Sequence, residues 1–527
     1  MARSFLAAFD PTRRGARIAP HFWGFCASRA LDAEESRPVC SRAMLRFAVA
    51  LLGGLVLALP ASAQTASSEA DGQLRLMREP HSYVDVVDAF DDDDPFDINI
   101  TLGFRHVREW GAIQRERGTW TPGDTEDPNR LSRLWQNVAR HEHVQSILDV
   151  GLDVGIFRDL AIYGRLPIIL SDTRSLTPTS DFDPRRLIVD NDGDGMSDPD
   201  PVNGEPLPPL FNLGSGFNSP TRFGLDYIAA GLAWSIMNQN RERELPTWML
   251  MIEGRFNVGD PLVACNGPTC RTWTRDESPS GWGFRDAAGN AGMTRGTNAL
   301  RIETRSSWRT QYVEPYAGLA FQIEWPANAE RFFLPAGGLA GIVNDQPPIF
   351  GELTGGVAII PWENRADWQR FTVDLRLHGR YISEGRDYSP LYDALGTSQN
   401  RYLTEPNPEG DRSRDSSLRT VPFLGLTDVQ SHAELGGHLG VEVRAARYVR
   451  FSLGATLWYV QPYLLTFTDA CNPNFTVTDP NDPRKGSCRR DTIINPDHRP
   501  VLDVPGQRFR VDEQVRVDVS LSATAQF

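Results

Sequence analysis

The densest set of potential ligands in the chain is Asp190-Asn191-Asp192-Gly193-Asp194-Gly195-Met196-Ser197-Asp198. Carboxylates recur at alternate positions around glycines that permit a tight turn, so their oxygens can converge on one point. An all-oxygen shell suits Ca²⁺, which takes 6 to 8 such ligands. The expected metal set is Asp190, Asp192, Asp194, Met196 and Asp198, with Ca²⁺ the one cofactor the chain implies. A second group, His432, Glu434 and His438, shares one face of an alternating segment, where solvated side chains are the plainer reading than a metal site. No His-x-Ser nucleophile motif accompanies His378, His432 or His438, so no enzyme is expected.

Those groups must be positioned by strands. Apolar and polar residues alternate with period two over 96–106, 144–156, 160–170, 225–236, 247–256, 298–308, 313–325, 353–362, 369–381, 432–443, 448–459 and 513–527. Period two is the signature of a strand with one apolar and one polar face. In the second segment Leu148, Val150, Leu152, Val154 and Ile156 alternate with Asp149, Gly151, Asp153 and Gly155. The connections alternate strictly between tight turns and loops of several tens of residues. All tight turns therefore fall at one end of the sheet, an asymmetry that a soluble sandwich has no reason to adopt. Long structureless loops are also uncommon inside compact domains. Phe157, Trp234, Trp248, Trp308, Trp362, Phe371, Tyr448 and Phe527 gather at the short-turn end, and Trp325, Tyr381 and Tyr459 at the other.

The N-terminal region divides by composition. Residues 1–43 carry prolines and arginines without an apolar run and are read as an upstream start assigned too early. Met44-Leu45-Arg46, the apolar stretch Phe47 to Leu59 and Ala61-Ser62-Ala63 form the basic, hydrophobic and small-residue parts of a cleavable export signal over 44–63. The apolar run falls short of the roughly 20 residues of a membrane-spanning helix. Residues 64–95 follow as a periplasmic segment that would serve as a plug, and 96–527 form the main body. The whole chain has a formal net charge of −14; without 1–63 it keeps 46 basic against 64 acidic residues, a net of −18. Such an acidic chain has no basic face for phosphates, which excludes nucleic acid as a partner.

The export signal, the alternation, the loop asymmetry and the terminal Phe527 together resemble the Gram-negative outer-membrane β-barrels of the porin and transporter class. The resemblance implies an all-β fold: an antiparallel up-and-down barrel of about 12 strands, with 14 as the alternative. Short turns would face the periplasm and long loops the exterior. It also implies an outer-membrane location, contact with membrane lipid and lipopolysaccharide, and reading of Phe527 by the barrel-insertion machinery. The 190–198 loop resembles the Asp-x-Asp-x-Asp-Gly loops of secreted calcium-binding repeats. It carries Pro201 where a full EF-hand loop has its bidentate Glu, which would lower its affinity. Four cysteines remain past the signal and allow three pairings. Placement in shared loops favours Cys265 with Cys270 and Cys471 with Cys488, as structural braces in an oxidising compartment.

The register points Asp149, Asp153, Arg165, Glu253, Arg255, Arg301, Glu303, Arg305, Asp374, Arg376, Arg380 and Glu434 to the inside, joined by Glu314, Glu324, Glu442, Arg444, Arg450, Arg516 and Asp518. The two signs nearly balance. A lumen of that kind fits a porin-like channel or transporter for small solutes with weak ion selectivity. Paired charges or a folded-in loop would instead give a closed structural or surface-binding, adhesion-type barrel. Two named comparisons are weaker. Fatty-acid transporters have an N-terminal plug but fourteen strands, and outer-membrane phospholipases have twelve strands but a Ser and a His on the outer wall.

Overall fold

Closing a sheet on itself satisfies every backbone donor and acceptor without an edge, which is what a strand-built membrane span requires. A computed structural model of the chain has this form: twelve antiparallel strands, each hydrogen-bonded to two neighbours, with the last strand paired to the first. In chain order they are β1 Ile98–Thr119, β2 Ser132–Phe157, β3 Leu160–Pro178, β4 Tyr227–Met237, β5 Thr247–Asn257 and β6 Thr297–Ser307. Then come β7 Val313–Pro326, β8 Phe350–Asn364, β9 Gln369–Ile382, β10 His432–Ala446, β11 Val449–Val460 and β12 Phe509–Gln526. The structure describes residues 80–89, 97–119, 132–188, 208–213, 216–275, 282–287, 289–327, 346–398, 423–467, 499–503 and 506–527, with a few isolated positions besides. The expected upstream region 1–43, the export signal 44–63 and all of 64–95 except 80–89 lie outside the described residues.

The outward face carries the apolar half of each strand. Leu102, Leu232, Leu353, Leu377, Leu439 and Leu457 each keep at least 47% of their surface. Trp234, Trp248, Trp308, Trp362, Tyr448 and Phe527 are exposed at the short-turn end, and Trp325, Tyr381 and Tyr459 at the long-loop end. In water such a surface would be a large unfavourable exposure. Against lipid it is the lowest-energy arrangement, with amphipathic rings at the two interfaces. The barrel therefore belongs to the outer-membrane type on the strength of its own surface.

Several strand limits differ from the sequence expectation. β1 continues from His106 to Thr119 and β2 begins at Ser132, so most of what reads as the first long loop is a β-hairpin arm. β3 likewise runs to Pro178 and β12 begins at Phe509. Beyond the lipid the outer face meets water, so apolar alternation is no longer required and the period-two signal fades while the ladder continues.

The extended strands and the long connections build a cap at that end. Ile113, Val138, Leu176 and Val511 from the strand tips pack with Leu210, Phe211, Leu391, Leu395, Phe423, Phe467 and Phe509 into one buried apolar cluster. It includes the short helix α1, Tyr392–Gly396, all five of whose residues are buried. A hairpin over 264–275 docks beside it, closed by a Cys265–Cys270 disulfide, one of the two pairings read from the sequence. Arg222, fully buried, donates to both carboxylate oxygens of Asp393 on α1, at 2.6 and 3.3 Å. The backbone N–H of Cys265 donates to the same carboxylate at 3.0 Å.

Replacing a lipid-facing residue in mid-strand tests the placement. Leu439→Arg should destabilise the inserted barrel by about 2–4 kcal/mol. Reversible denaturant unfolding in lipid vesicles would measure it, and a loss below about 1 kcal/mol would mean that this face does not meet hydrocarbon.

Candidate functional site: the charged interior and its N-terminal closure

Alternation sends every second side chain of each strand inward, and the interior is narrow enough for those side chains to meet. A buried charge is costly unless it is paired and hydrogen-bonded, and the sequence-expected residues are paired. Arg165 meets Asp153 at 2.6 Å, Arg255 meets Glu253 at 2.6 Å, and Arg376 meets Asp374 at 2.6 Å. Glu303 accepts from Arg301 at 2.9 Å and from Arg305 at 2.6 Å. Asp149 pairs with Arg105 at 3.2 Å. Arg380 bridges Glu352 at 2.8 Å and Glu434 at 3.2 Å, and Glu434 in turn accepts from Arg516 at 3.1 Å. Trp458 lies within 4.8 Å of Arg380 and 5.0 Å of Arg516, so its ring faces both guanidinium groups. The result is a belt of alternating charge from β8 through β9, β10 and β12 to Glu109 of β1, 3.8 Å from Arg516.

The short-turn half of the interior is occupied by the chain's own N-terminal segment. Residues 80–89 enter it, with Val84 fully buried and His81 at 4% exposure. The backbone N–H of His81 donates to both carboxylate oxygens of Glu314, at 2.9 and 3.1 Å. The ring of Tyr83 has Arg305 and Arg376 each 4.1 Å from its centroid, and Tyr316 packs at 5.0 Å. Tyr316 in turn hydrogen-bonds Asp374 and accepts from Arg376 at 2.9 Å. Asp85 meets Arg450 at 3.5 Å, and the N–H of Ala89 donates to the carbonyl of Arg158 in the β2–β3 turn at 2.9 Å. Two glycines make this approach possible. A Cβ on Gly155 would lie 1.8 Å from the carbonyl oxygen of Asp88, and one on Gly318 would lie 2.7 Å from the Tyr83 hydroxyl.

Toward the cap the interior opens into a cavity of about 360 Å³. Glu109, His141, Glu142, Asp172 and Arg174 line it from the strands, and Asp226, Arg295, Asp387 and Tyr388 from the connections. Asp172, fully buried, accepts from His143 at 2.9 Å and Arg174 at 3.2 Å. Arg295 spans Asp387 at 3.0 Å and Glu324 at 3.2 Å. Asp226, just before β4, has no hydrogen-bond or ion-pair partner for its carboxylate among the described residues. Burial pushes that carboxyl up to about 6, against the pull of Arg295 and Arg255.

His432, Glu434 and His438 do not converge. His432 stacks on Tyr463, Glu434 belongs to the charge belt, and His438 bonds Thr456 at 2.8 Å. The expected calcium ligands Asp190, Asp192, Asp194, Met196 and Asp198 lie outside the described residues, as do Cys471 and Cys488. Sequence reasoning missed Arg105, Glu109, Glu352, Tyr83 and Asp226. Glu352 stands one residue before its expected strand, and Arg105 shares the inward parity of Thr101 and Gly103, so parity would have found both. Tyr83 lies outside the alternating segments and carries no local signal, and Asp226, at the start of the expected segment 225–236, shares the parity of the outward Ile228 and Leu232, so parity would have sent it to lipid.

No protein-family model and no curated protein matches the chain. Solved structures similar to it at low identity include outer-membrane proteins. An outer membrane channel from Pseudomonas putida F1 is 6% identical with a TM-score of 0.32, covering 81% of this chain and 96% of that one. The translocator domain of the autotransporter NalP from Neisseria meningitidis is 8% identical with a TM-score of 0.30, covering 81% and 88%. A FadL homologue from Pseudomonas aeruginosa is 7% identical with a TM-score of 0.27, covering 82% and 90%. At these scores the likeness bears on neither activity nor substrate.

Filling the space that admits the N-terminal segment should expel it. A cysteine replacing buried Val84 should be inert to a maleimide in the otherwise unaltered barrel. Adding Gly155→Val should make it react at least tenfold faster, whereas unchanged reactivity would mean the segment does not depend on that gap.

Proposed function

We propose that the protein is an outer-membrane channel or transporter for small polar solutes whose lumen is closed at rest by residues 80–89. One observation carries this reading. The segment fills the short-turn end through non-covalent contacts alone among the described residues, chiefly Tyr83 between Arg305 and Arg376 and His81 on Glu314. The groups it covers are inward-facing charges that water or a polar solute would solvate equally well once it left. Such a closure is non-covalent and therefore reversible. A purely structural barrel gains nothing from charges held there when apolar residues of equal volume pack as stably. The charged wall also argues against a conduit for hydrophobic compounds, and no catalytic role is part of the proposal.

A second reading is a closed, surface-binding barrel, favoured by the cap, whose apolar cluster spans several connections and covers the long-loop end. The two readings differ in what happens when the N-terminal closure is weakened. Under the channel reading the cap connections yield to solute or leave a side path, and current follows release of the segment. Under the surface-binding reading the cap alone keeps the barrel shut.

In planar bilayers the exported chain should conduct rarely. Tyr83→Ala should raise the open fraction at least tenfold, with weak ion selectivity because the lumen charges nearly balance. Silence from a correctly inserted Tyr83→Ala barrel would favour the surface-binding reading.

A further inference from the structure

The cavity between the charge belt and the cap has a definite electrostatic character. Of its lining residues, Glu109, Glu142, Asp172, Asp226 and Asp387 are acidic, and Arg174 and Arg295 are the two guanidinium groups. Both guanidinium groups are already engaged, Arg174 by Asp172 and Arg295 by Asp387 and Glu324. An anion entering the cavity would find no uncommitted cation. Unspent capacity lies on the other side of the ledger of charge: the carboxylate of Asp226 has no partner among the described residues, and that of Glu109 reaches Arg516 only at 3.8 Å. The Asp226 carboxylate lines the cavity, and burial disfavours its charge. A buried polar group left without a partner is uncommon in folded proteins and calls for an explanation. Leu262 and Met293 supply apolar wall beside these groups.

We propose that this cavity is a binding site for a small organic cation carrying an ammonium group on a short carbon stem, with Asp226 and Glu109 as its anionic partners. An ammonium offers three donors. It would satisfy the Asp226 carboxylate, while the stem lies along Leu262 and Met293. A volume of about 360 Å³ is at the small end of ligand sites, which run from roughly 300 to 1,000 Å³. The site rests on the channel reading for its biological sense, since it would give organic cations a binding station on the path through the lumen. Its existence is a matter of binding and can be measured without flux.

Isothermal titration calorimetry on the exported chain in lipid nanodiscs would use putrescine, with glutarate as an anion of similar length. Putrescine should bind saturably near neutral pH and glutarate should not. Asp226→Asn should weaken putrescine binding at least tenfold. Glu109→Gln should also weaken it, and stands in if the first variant does not insert. No saturable putrescine heat, equal binding of glutarate, or unaltered affinity in the variants would overturn the proposal. A barrel that binds putrescine yet passes no current would keep this site and discard the conduit. A conducting barrel that ignores putrescine would do the reverse.

Discussion

Charge pairing in a narrow, lipid-surrounded tube is the constraint on which the rest of the structure depends. Each inward carboxylate or guanidinium gives up much of its hydration, and a single missing partner would leave a cost of several kcal/mol. Glu352, Arg380, Glu434 and Arg516 therefore form a continuous run across neighbouring strands, with Trp458 against two of the cations. Because the run crosses strands, it also ties their register. A slip of one residue in any of these strands would turn its member of the run toward lipid and its outward leucines toward the interior.

The same constraint shapes both ends. At the short-turn end the barrel accepts residues 80–89 because their backbone and one tyrosine complete the pairing of Glu314, Arg305 and Arg376. Gly155 and Gly318 leave the room for them. At the long-loop end there is no lipid, and the strands continue into a cap with an apolar cluster of its own. The buried Arg222–Asp393 pair joins α1 to the rest of the cap, and Asp393 also accepts from the disulfide-closed hairpin. Between belt and cap the pairing is incomplete, and that is where the cavity lies.

The barrel was legible in the sequence because lipid enforces alternation residue by residue. Twelve period-two segments, their polar parity and the aromatic positions all follow from the solvent on each side of the sheet. The hairpin arm formed by β1 and β2 was not legible beyond His106, since past the lipid Arg108, Glu109, Gln114 and Arg115 break any apolar alternation, even though Ile113 and Arg115 are buried. Partners two apart on one strand, such as Glu253 with Arg255 and Asp374 with Arg376, follow from parity, whereas partners on other strands, such as Arg380 with Glu352 and Arg516 with Glu434, depend on register. The contacts of Tyr83 arise from a segment without periodicity, and the lone carboxylate of Asp226 departs from the parity of the segment it begins. Only the folded chain brings them to Arg305 and to His141's cavity.

Amide hydrogen exchange of the membrane-inserted exported chain, read at residues 81–89, tests most directly whether that segment is a folded part of the closed barrel. The Val84 and Ala89 amides, bonded at 2.9 Å to the carbonyls of His81 and Arg158, should exchange orders of magnitude more slowly than free peptide. Exchange at the free-peptide rate across 81–89, with the strands still protected, would mean that the lumen is not closed from this end and would contradict the account.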